Sequence, residues 1–449
     1  MITLFFDIYI AIVCLVIFRN IQVGFLITLI SKILIPGVVR FDLGPISVAI
    51  YDVFTLALLF SFVISKSYKW KIQYPIAKYF YIYVVSTFIL IFFSSAYVPY
   101  GYQLYSFAKS FLFQTILYIW IGFHVFRNFK LNKVISILCI VSLFAGIYGI
   151  YGYITSSNPY IILLNLLYGN ESDFSFFLEE SRGGLHGRTY GTMGHPLAWG
   201  QFWNIFLCLL WIYRRTVNKY LAVVVFSIGI INIVLCGSRT ALVTLFVFCI
   251  FILLSYGIKK LLLIIPSAYL LLSVILMALP QEIKRSDMVS YIESGLFFWD
   301  SSYSEKAGIV GSSTEMRYTQ LQKTVDITMK NPLAGVGYNY QYFVLDSNRS
   351  LDNDLMGLES IIIKILIEQG FTGLFVFFYI FNLLRIYFLK KEKEEKNKIL
   401  LNGYFISFLI SILFTGIQGN SYGFFMYFLI LINNCKYDTK NYSLLLVKQ

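Results

Sequence analysis

Apolar runs follow one another along almost the whole chain, broken by short polar stretches. A helix that crosses a bilayer needs about 20 mostly apolar residues. Runs of that kind stand at 3–18, 21–39, 43–65, 76–96, 104–126, 133–156, 196–213, 219–236, 239–255, 260–279, 361–387, 399–417 and 420–434. They predict 12 or 13 spanning helices, the first two runs being either two spans or one span and a re-entrant piece. Two polar interruptions are longer, 157–195 and 280–357. The second carries ten acidic residues from Glu282 to Asp354 and seven basic ones from Lys284 to Arg349. Fenced by Leu261–Leu279 and Ile361–Tyr387, it reads as an extramembrane domain hung between two membrane helices.

The pattern therefore predicts an all-α integral membrane protein with one large extracytoplasmic loop domain. Its parts are N-terminal membrane helices (1–156), a first outer loop (157–195), central membrane helices (196–279), the large outer loop (280–357), and C-terminal membrane helices with a cytoplasmic tail (358–449).

Composition agrees. The chain is 58% hydrophobic and 13% charged, about half the charged fraction of a soluble domain, and its mean hydropathy is +0.73. The formal charge of +13 raises nucleic acid as a partner, but the Lys and Arg sit in short clusters between apolar runs, where they set topology rather than form a continuous basic face. Lys66, Lys69 and Lys71, then Arg127, Lys130 and Lys133, then Arg214, Arg215 and Lys219, then Lys259 and Lys260, and finally the tract 385–398, alternate in step with the helices. Those loops are expected in the cytoplasm and both long loops outside. The N-terminus, Met1 to Asp7, lacks a basic start and a small-residue cleavage site, so it reads as a membrane segment rather than a removed signal. The six cysteines form no CxxC pair and lie in or beside apolar runs, which makes them packing residues. Three scattered histidines offer no metal cluster.

Candidate chemistry gathers in three places. The first is Glu179-Glu-Ser-Arg182-Gly-Gly-Leu-His186-Gly-Arg188-Thr-Tyr-Gly-Thr-Met-Gly-His195-Pro, where five glycines permit close backbone approach and Pro196 suits a first helical turn. Helix-start amides beside arginines favour an anion, although a plain Gly-rich connector would read the same way. The second is Cys236-Gly-Ser-Arg239-Thr-Ala-Leu, a tight hairpin with an arginine at the membrane edge. Such an arginine either snorkels to headgroups or faces protein, water or a ligand. The third begins with a helical pattern over 317–330, breaks at Asn331-Pro-Leu-Ala-Gly-Val-Gly-Tyr338, and continues through Asp352-Asn353-Asp354 to Glu359, Lys364 and Glu368. Those last three charges suit an interfacial helix or a cavity wall. Asp7, Lys32, Asp52 and Lys109 are isolated charges inside apolar runs, and pairing of Asp52 with Lys109 is one way to settle two of them.

Together the three blocks resemble the O-antigen ligase/polymerase superfamily. Gly187-Arg-Thr-Tyr-Gly-Thr-Met-Gly-His-Pro-Leu-Ala is similar to its opening signature and Gly237-Ser-Arg-Thr-Ala-Leu to its second block. Asn331-Pro-Leu-Ala-Gly-Val-Gly with Asp352-Asn353 and Glu368-Gln-Gly-Phe-Thr-Gly-Leu is similar to its third. The resemblance spans roughly 185–375. It implies a GT-C-like, metal-independent membrane glycosyltransferase without a cofactor. Such an enzyme works on the outer face of the bacterial cytoplasmic membrane, moving glycan from undecaprenyl pyrophosphate to an acceptor sugar. Its partners would be the lipid-linked oligosaccharide, the bilayer, a chain-length regulator and a flippase, with no nucleic acid.

By position, the resemblance makes Arg188, Arg239, Arg317 and Asp352 the catalytic candidates. Arg182, His195, Asn353, Asp354 and Glu368 are the candidates for substrate binding. The ligase branch carries His where this chain has Asp352, which favours a Wzy-type polymerase of capsule, O-antigen or related repeat units over a ligase. The same departure leaves the general base open between Asp352 and Asp354. A pyrophosphate is already a good leaving group, so the protein must chiefly neutralise charge and align the acceptor hydroxyl. Arginine's fixed fork suits phosphate oxygens. Arg188 and Arg239 both stand at outer helix edges and are expected to converge. From another class, a flippase would favour charges deep in many helices and short loops on both sides.

Overall fold

The computed structural model of the chain describes residues 2–35, 40–43, 46–65, 77–95, 97–125, 129–160, 162–163, 188–259, 267, 314–347, 360–417 and 421–434. Among them the molecule is helical apart from one two-stranded hairpin. The first apolar run is α1 (Ile2–Arg19). It turns at once into α2 (Ile21–Leu34) because Asn20 accepts the amides of Gln22 and Val23 at 3.1 and 3.2 Å and caps the new helix. The first pair is thus two helices, packed so closely that a Cβ on Gly24 would stand 2.5 Å from Ile17.

The next expected spans begin differently from the reading of the sequence. Instead of helix throughout 21–39 and 43–65, a hairpin of β1 (Arg40–Leu43) and β2 (Ile46–Ala49) separates α2 from α3 (Ile50–Ile64). Then come α4 (Ala77–Phe93) and α5 (Tyr100–Val125), whose middle, Phe107–Leu117, is a π-helix. They are followed by α6 (Leu131–Thr155), α7 (Pro196–Ile212), α8 (Lys219–Leu235) and α9 (Arg239–Leu254). The expected span 260–279 lies outside the described residues, save Ser267. After it come α10 (Thr314–Thr328), α11 (Tyr340–Ser347), α12 (Ile361–Lys391), α13 (Glu395–Thr415) and α14 (Ser421–Asn434). Four helices, α5, α6, α12 and α13, are long and apolar enough to cross a membrane; α2, α3, α4, α7, α8, α9 and α14 are apolar but shorter.

The centre of the bundle is α7, in which every residue but Trp211 is buried. A helix that is apolar all round must be enclosed by others, and α7 packs against α8, α9, α13 and α14. The outward faces instead carry large apolar side chains such as Phe144 and Ile154 on α6 and Phe375 on α12, as lipid-facing helices do.

Side-chain contacts sort the helix ends into two sets. At one end, Gln201 in the second turn of α7 donates to Gly416 beyond α13, and Thr192 donates to the Ile33 carbonyl near the end of α2. At the other end, Lys396 at the start of α13 lies 3.7 Å from the ring of Tyr256, just past α9, and Arg214 beyond α7 donates to the Tyr256 hydroxyl.

One expected pairing is corrected. Asp52 does not meet Lys109. It accepts from Gln114 Nε2 at 2.6 Å and from the Ala49 amide, while Lys109 donates to Tyr105 one turn away. The isolated cation nearest to a cage is Lys32, 6% exposed, which donates to the Tyr427 hydroxyl at 3.1 Å and lies 4.0 Å from the centre of the Tyr118 ring. The Lys32 amine is held here by ring faces, one hydroxyl and the nearby charge of Asp52.

Candidate active site

The last two carbonyls of α8 and its cap have no helical partner of their own, and residues 188–189 supply one. Thr189 donates its amide to Leu235 O at 3.0 Å, and Arg188 Nε donates to Cys236 O at 2.8 Å. Gly237 then reverses the chain at φ +65°, a conformation that favours glycine. A Cβ there would stand 2.7 Å from Arg188 Nε and 2.8 Å from its Cγ. The stem of Arg188 therefore lies flat over the turn. Ser238 Oγ accepts the Ala241 amide and caps α9, whose first residue is Arg239.

Arg188 is thus packed on the Cys236–Gly237 turn, two residues before Arg239. Nε of Arg188 is spent on the carbonyl, whereas its two terminal nitrogens bond no described residue. Arg188 and Arg239 are both half-buried, and Arg239 opens α9, a helix start of the kind that favours anions. Cys236 is fully buried and its thiol donates to the Ile233 carbonyl, so this cysteine is a packing group.

Residues 188–195 are sunk into the bundle rather than draped over it. Thr189 Oγ1 donates to Gly149 O, six residues before the end of α6, about 9 Å along the helix at 1.5 Å per residue. Gly191, at φ +50°, sits against the Trp199 indole, where a Cβ would approach to 2.6 Å. Asn158 Nδ2 holds the Gly191 carbonyl and Thr192 holds Ile33. His195 is the N-cap of α7: its Nδ1 accepts the Leu197 amide at 3.2 Å, ahead of Pro196. Proposed from sequence for substrate binding, His195 has one ring nitrogen committed to its own helix.

The third block makes a second joint at the same end. α12 breaks at Gly370 (φ +62°, ψ −164°), a region essentially reserved for glycine. The break frees Ile367 O and the amides of Phe371 and Thr372. The Asn331–Gly337 loop takes all three: Val336 N donates to Ile367 O at 2.8 Å, while Pro332 O and Leu333 O accept from Phe371 and Thr372. Backbone lies on backbone, with a Cβ on Gly335 2.6 Å from Gln369 N and one on Gly370 2.5 Å from Pro332 O. Gln103 fastens the far side, accepting the Tyr338 amide at 2.8 Å and donating to Val98 O.

Glu368 stands on this joint. It is 4% exposed, accepts the backbone amide of Asn339, and its Oε1 has no hydrogen-bond partner among the described residues. Asn339 itself holds the uncommon φ of +63°. Loss of water around Tyr338, reinforced by the Glu368 charge, holds its phenol well above the usual range.

Arg317 belongs to α10, which packs along α12, but its side chain is not described. Arg182, Asp352, Asn353 and Asp354 lie outside the described residues. Sequence reasoning missed Gln103, Asn158, Thr192 and Asn232, the polar pins of the two joints. Asn232, a lone amide in an apolar helix that holds Trp199 Nε1, Gly146 O and Ile228 O, was the most findable.

The class this architecture defines is a polytopic helical membrane protein with an arginine corner on a helix start. Residues 222–378 match the family model described as O-antigen ligase, consistent with the O-antigen ligase/polymerase superfamily expected above. Members of that family are membrane enzymes that transfer glycans, and an enzyme of that general kind is supported here. The matched stretch contains Arg239, Arg317 and Glu368, and Arg188 precedes it. No curated protein matches the chain.

Proposed function

We propose that this protein polymerises lipid-linked oligosaccharide repeat units, transferring glycan from undecaprenyl pyrophosphate to an acceptor sugar outside the bacterial cytoplasmic membrane. The observation that supports it best is the placement of Arg188 across Gly237, two residues before Arg239 at the start of α9. A pyrophosphate gathers negative charge as its bond to the sugar breaks, and two arginines at a positive helix end oppose that charge. In the step proposed, the acceptor oxygen forms its bond to the anomeric carbon while the bond from that carbon to the phosphate oxygen breaks. The electron pair leaves with the pyrophosphate, and the hydroxyl proton passes to a carboxylate, Asp352 or Asp354. Arg317 completes the catalytic set proposed, Arg182, His195, Asn353 and Glu368 belong to the substrate-binding set, and the step calls for no metal.

The family matched at 222–378 is described as O-antigen ligase, which favours a second reading, a ligase that hands finished glycan to another acceptor. Purified protein given lipid-linked repeat units in excess chelator decides between them. A ladder of products growing by one repeat unit supports the polymerase. Transfer to a lipid-core acceptor without a ladder supports the ligase, and activity that returns only with a divalent ion ends the metal-free mechanism.

A further inference from the structure

Below Arg239, where α9 meets α7 and α13, a small cavity of ≈ 10 Å³ is lined by Gln201, Asn204, Thr244, Ser407 and Ser411 among other residues. Three of these are almost wholly buried, Asn204 at 2%, Ser407 at 1% and Ser411 at 3% exposure. Asn204 Oδ1, Ser407 Oγ and Ser411 Oγ have no hydrogen-bond partner among the described residues. The orientation of the amide is fixed, because its nitrogen donates to both Gly200 O and Ala241 O at 3.1 and 3.0 Å, which an oxygen could not do. The acceptor end is therefore the one left over. Thr244 donates to Thr240 O and keeps its lone pairs.

Three orphaned oxygens on two helices, around one space, are costly unless something joins them. The space is at the lower limit of what one water molecule requires, roughly 10–15 Å³. An acceptor-only amide oxygen beside hydroxyls asks for a ligand that both donates and accepts. The named lining side chains carry no formal charge, so a bound cation would lack a counter-charge in a setting of low dielectric.

We propose that this cavity binds one water molecule, which donates to Asn204 Oδ1 and the Thr244 oxygen and accepts from the Ser407 and Ser411 hydroxyls. It ties α7 and α13 to the helix that starts at Arg239 and so fixes the height of that arginine. The site does not rest on any assignment of substrate.

Serine-to-alanine substitution separates the outcomes. If the hydroxyls are bonded to a water, Ser407→Ala and Ser411→Ala in the full purified chain each lower Tm by about 1 °C, the shift that ~1 kcal/mol produces in a chain of 449 residues. The pair together should be less than additive, because both variants loosen one ligand. If the cavity is dry, each substitution removes an unbonded buried hydroxyl and Tm stays level or rises, which overturns the proposal. The same melts in sodium chloride and in N-methylglucamine chloride of equal ionic strength should agree. A sodium-dependent rise that Ser411→Ala abolishes would make the ligand a cation and overturn the assignment to water.

Discussion

A Cβ on Gly237 would stand 2.7 Å from Nε of Arg188, and the glycine holds φ at +65°. Both facts make one residue type necessary at one position. In Gly237→Ala the backbone carries strain of about 1–3 kcal/mol, and the side chain of Arg188 must leave the turn to make room. The corner is then lost while both arginines remain in the sequence. We expect polymer formation to fall by about 10²-fold, the scale of losing one well-placed donor to a transition state, with protein still found in the membrane. Normal turnover in a reconstituted assay would show that the seat of Arg188 on the hairpin does not matter.

Lysine in place of arginine tests the fork rather than the charge. Nε of Arg188 is committed to Cys236 O, so its two terminal nitrogens carry any grip on phosphate oxygens, and an ammonium cannot reproduce both contacts. Arg188→Lys and Arg239→Lys should each reduce the rate by roughly 10²–10³, about 2.7–4 kcal/mol. The proper control is Arg215→Lys, at an exposed position on the basic end. Arg214 is less suitable, since it donates to Trp211 O at 2.6 Å and stacks on that ring. Near-normal rates for both outer variants would remove the arginine site.

The helices and the tight turn before Arg239 were legible because apolar length and glycine placement are local signals; the packing of Arg188 on that turn is a long-range contact. The hairpin at 40–49 was not, since Arg40–Leu43 and Ile46–Ala49 sit between apolar runs that read on either side as helix. The Asp52–Lys109 pair failed for a related reason. Charge alone suggested it, whereas neutral partners, Gln114 for one and Tyr105 for the other, were as capable. Nor could the sequence show that Asn331–Gly337 lies against a break in α12. Gly335 and Gly370 announce turns, but their exchange of carbonyls and amides is a long-range fact.

That exchange predicts a stability defect rather than a kinetic one. Gly370→Ala puts a side chain in a backbone region nearly closed to it, 2.5 Å from Pro332 O, against main chain that cannot rotate away. Backbone strain of about 1–3 kcal/mol adds to the clash. We expect the variant to accumulate poorly and to melt well below wild type after purification. Gly101→Ala, where a Cβ would meet nothing within 4 Å, should leave both measures unchanged. If Gly370→Ala melts like wild type, the Gly370 turn and its contacts with 332–333 are not as described.

Sidedness is the last consequence, and it decides which face offers the donor. The contacts divide the helix ends into an Arg188 end and a basic end, the latter holding Arg214, Tyr256 and Lys396 together. Clustered Lys and Arg are expected on the cytoplasmic side, and on that rule Arg188, Arg239 and the segment 280–357 are expected outside. Single cysteines at Ser302 and Ser313 should then react with an impermeant thiol reagent in intact cells. One at Asn397, in the first turn of α13, should react only after permeabilisation. Background is low because Cys139, Cys208 and Cys236 are buried and Cys14 and Cys249 are half-buried in apolar helices; the unmodified chain measures what remains, Cys435 included. Labelling of Asn397→Cys in intact cells, with Ser302→Cys and Ser313→Cys protected, would invert the topology. The arginine corner would then face the cytoplasm, and transfer from an externally presented lipid pyrophosphate would have to be abandoned.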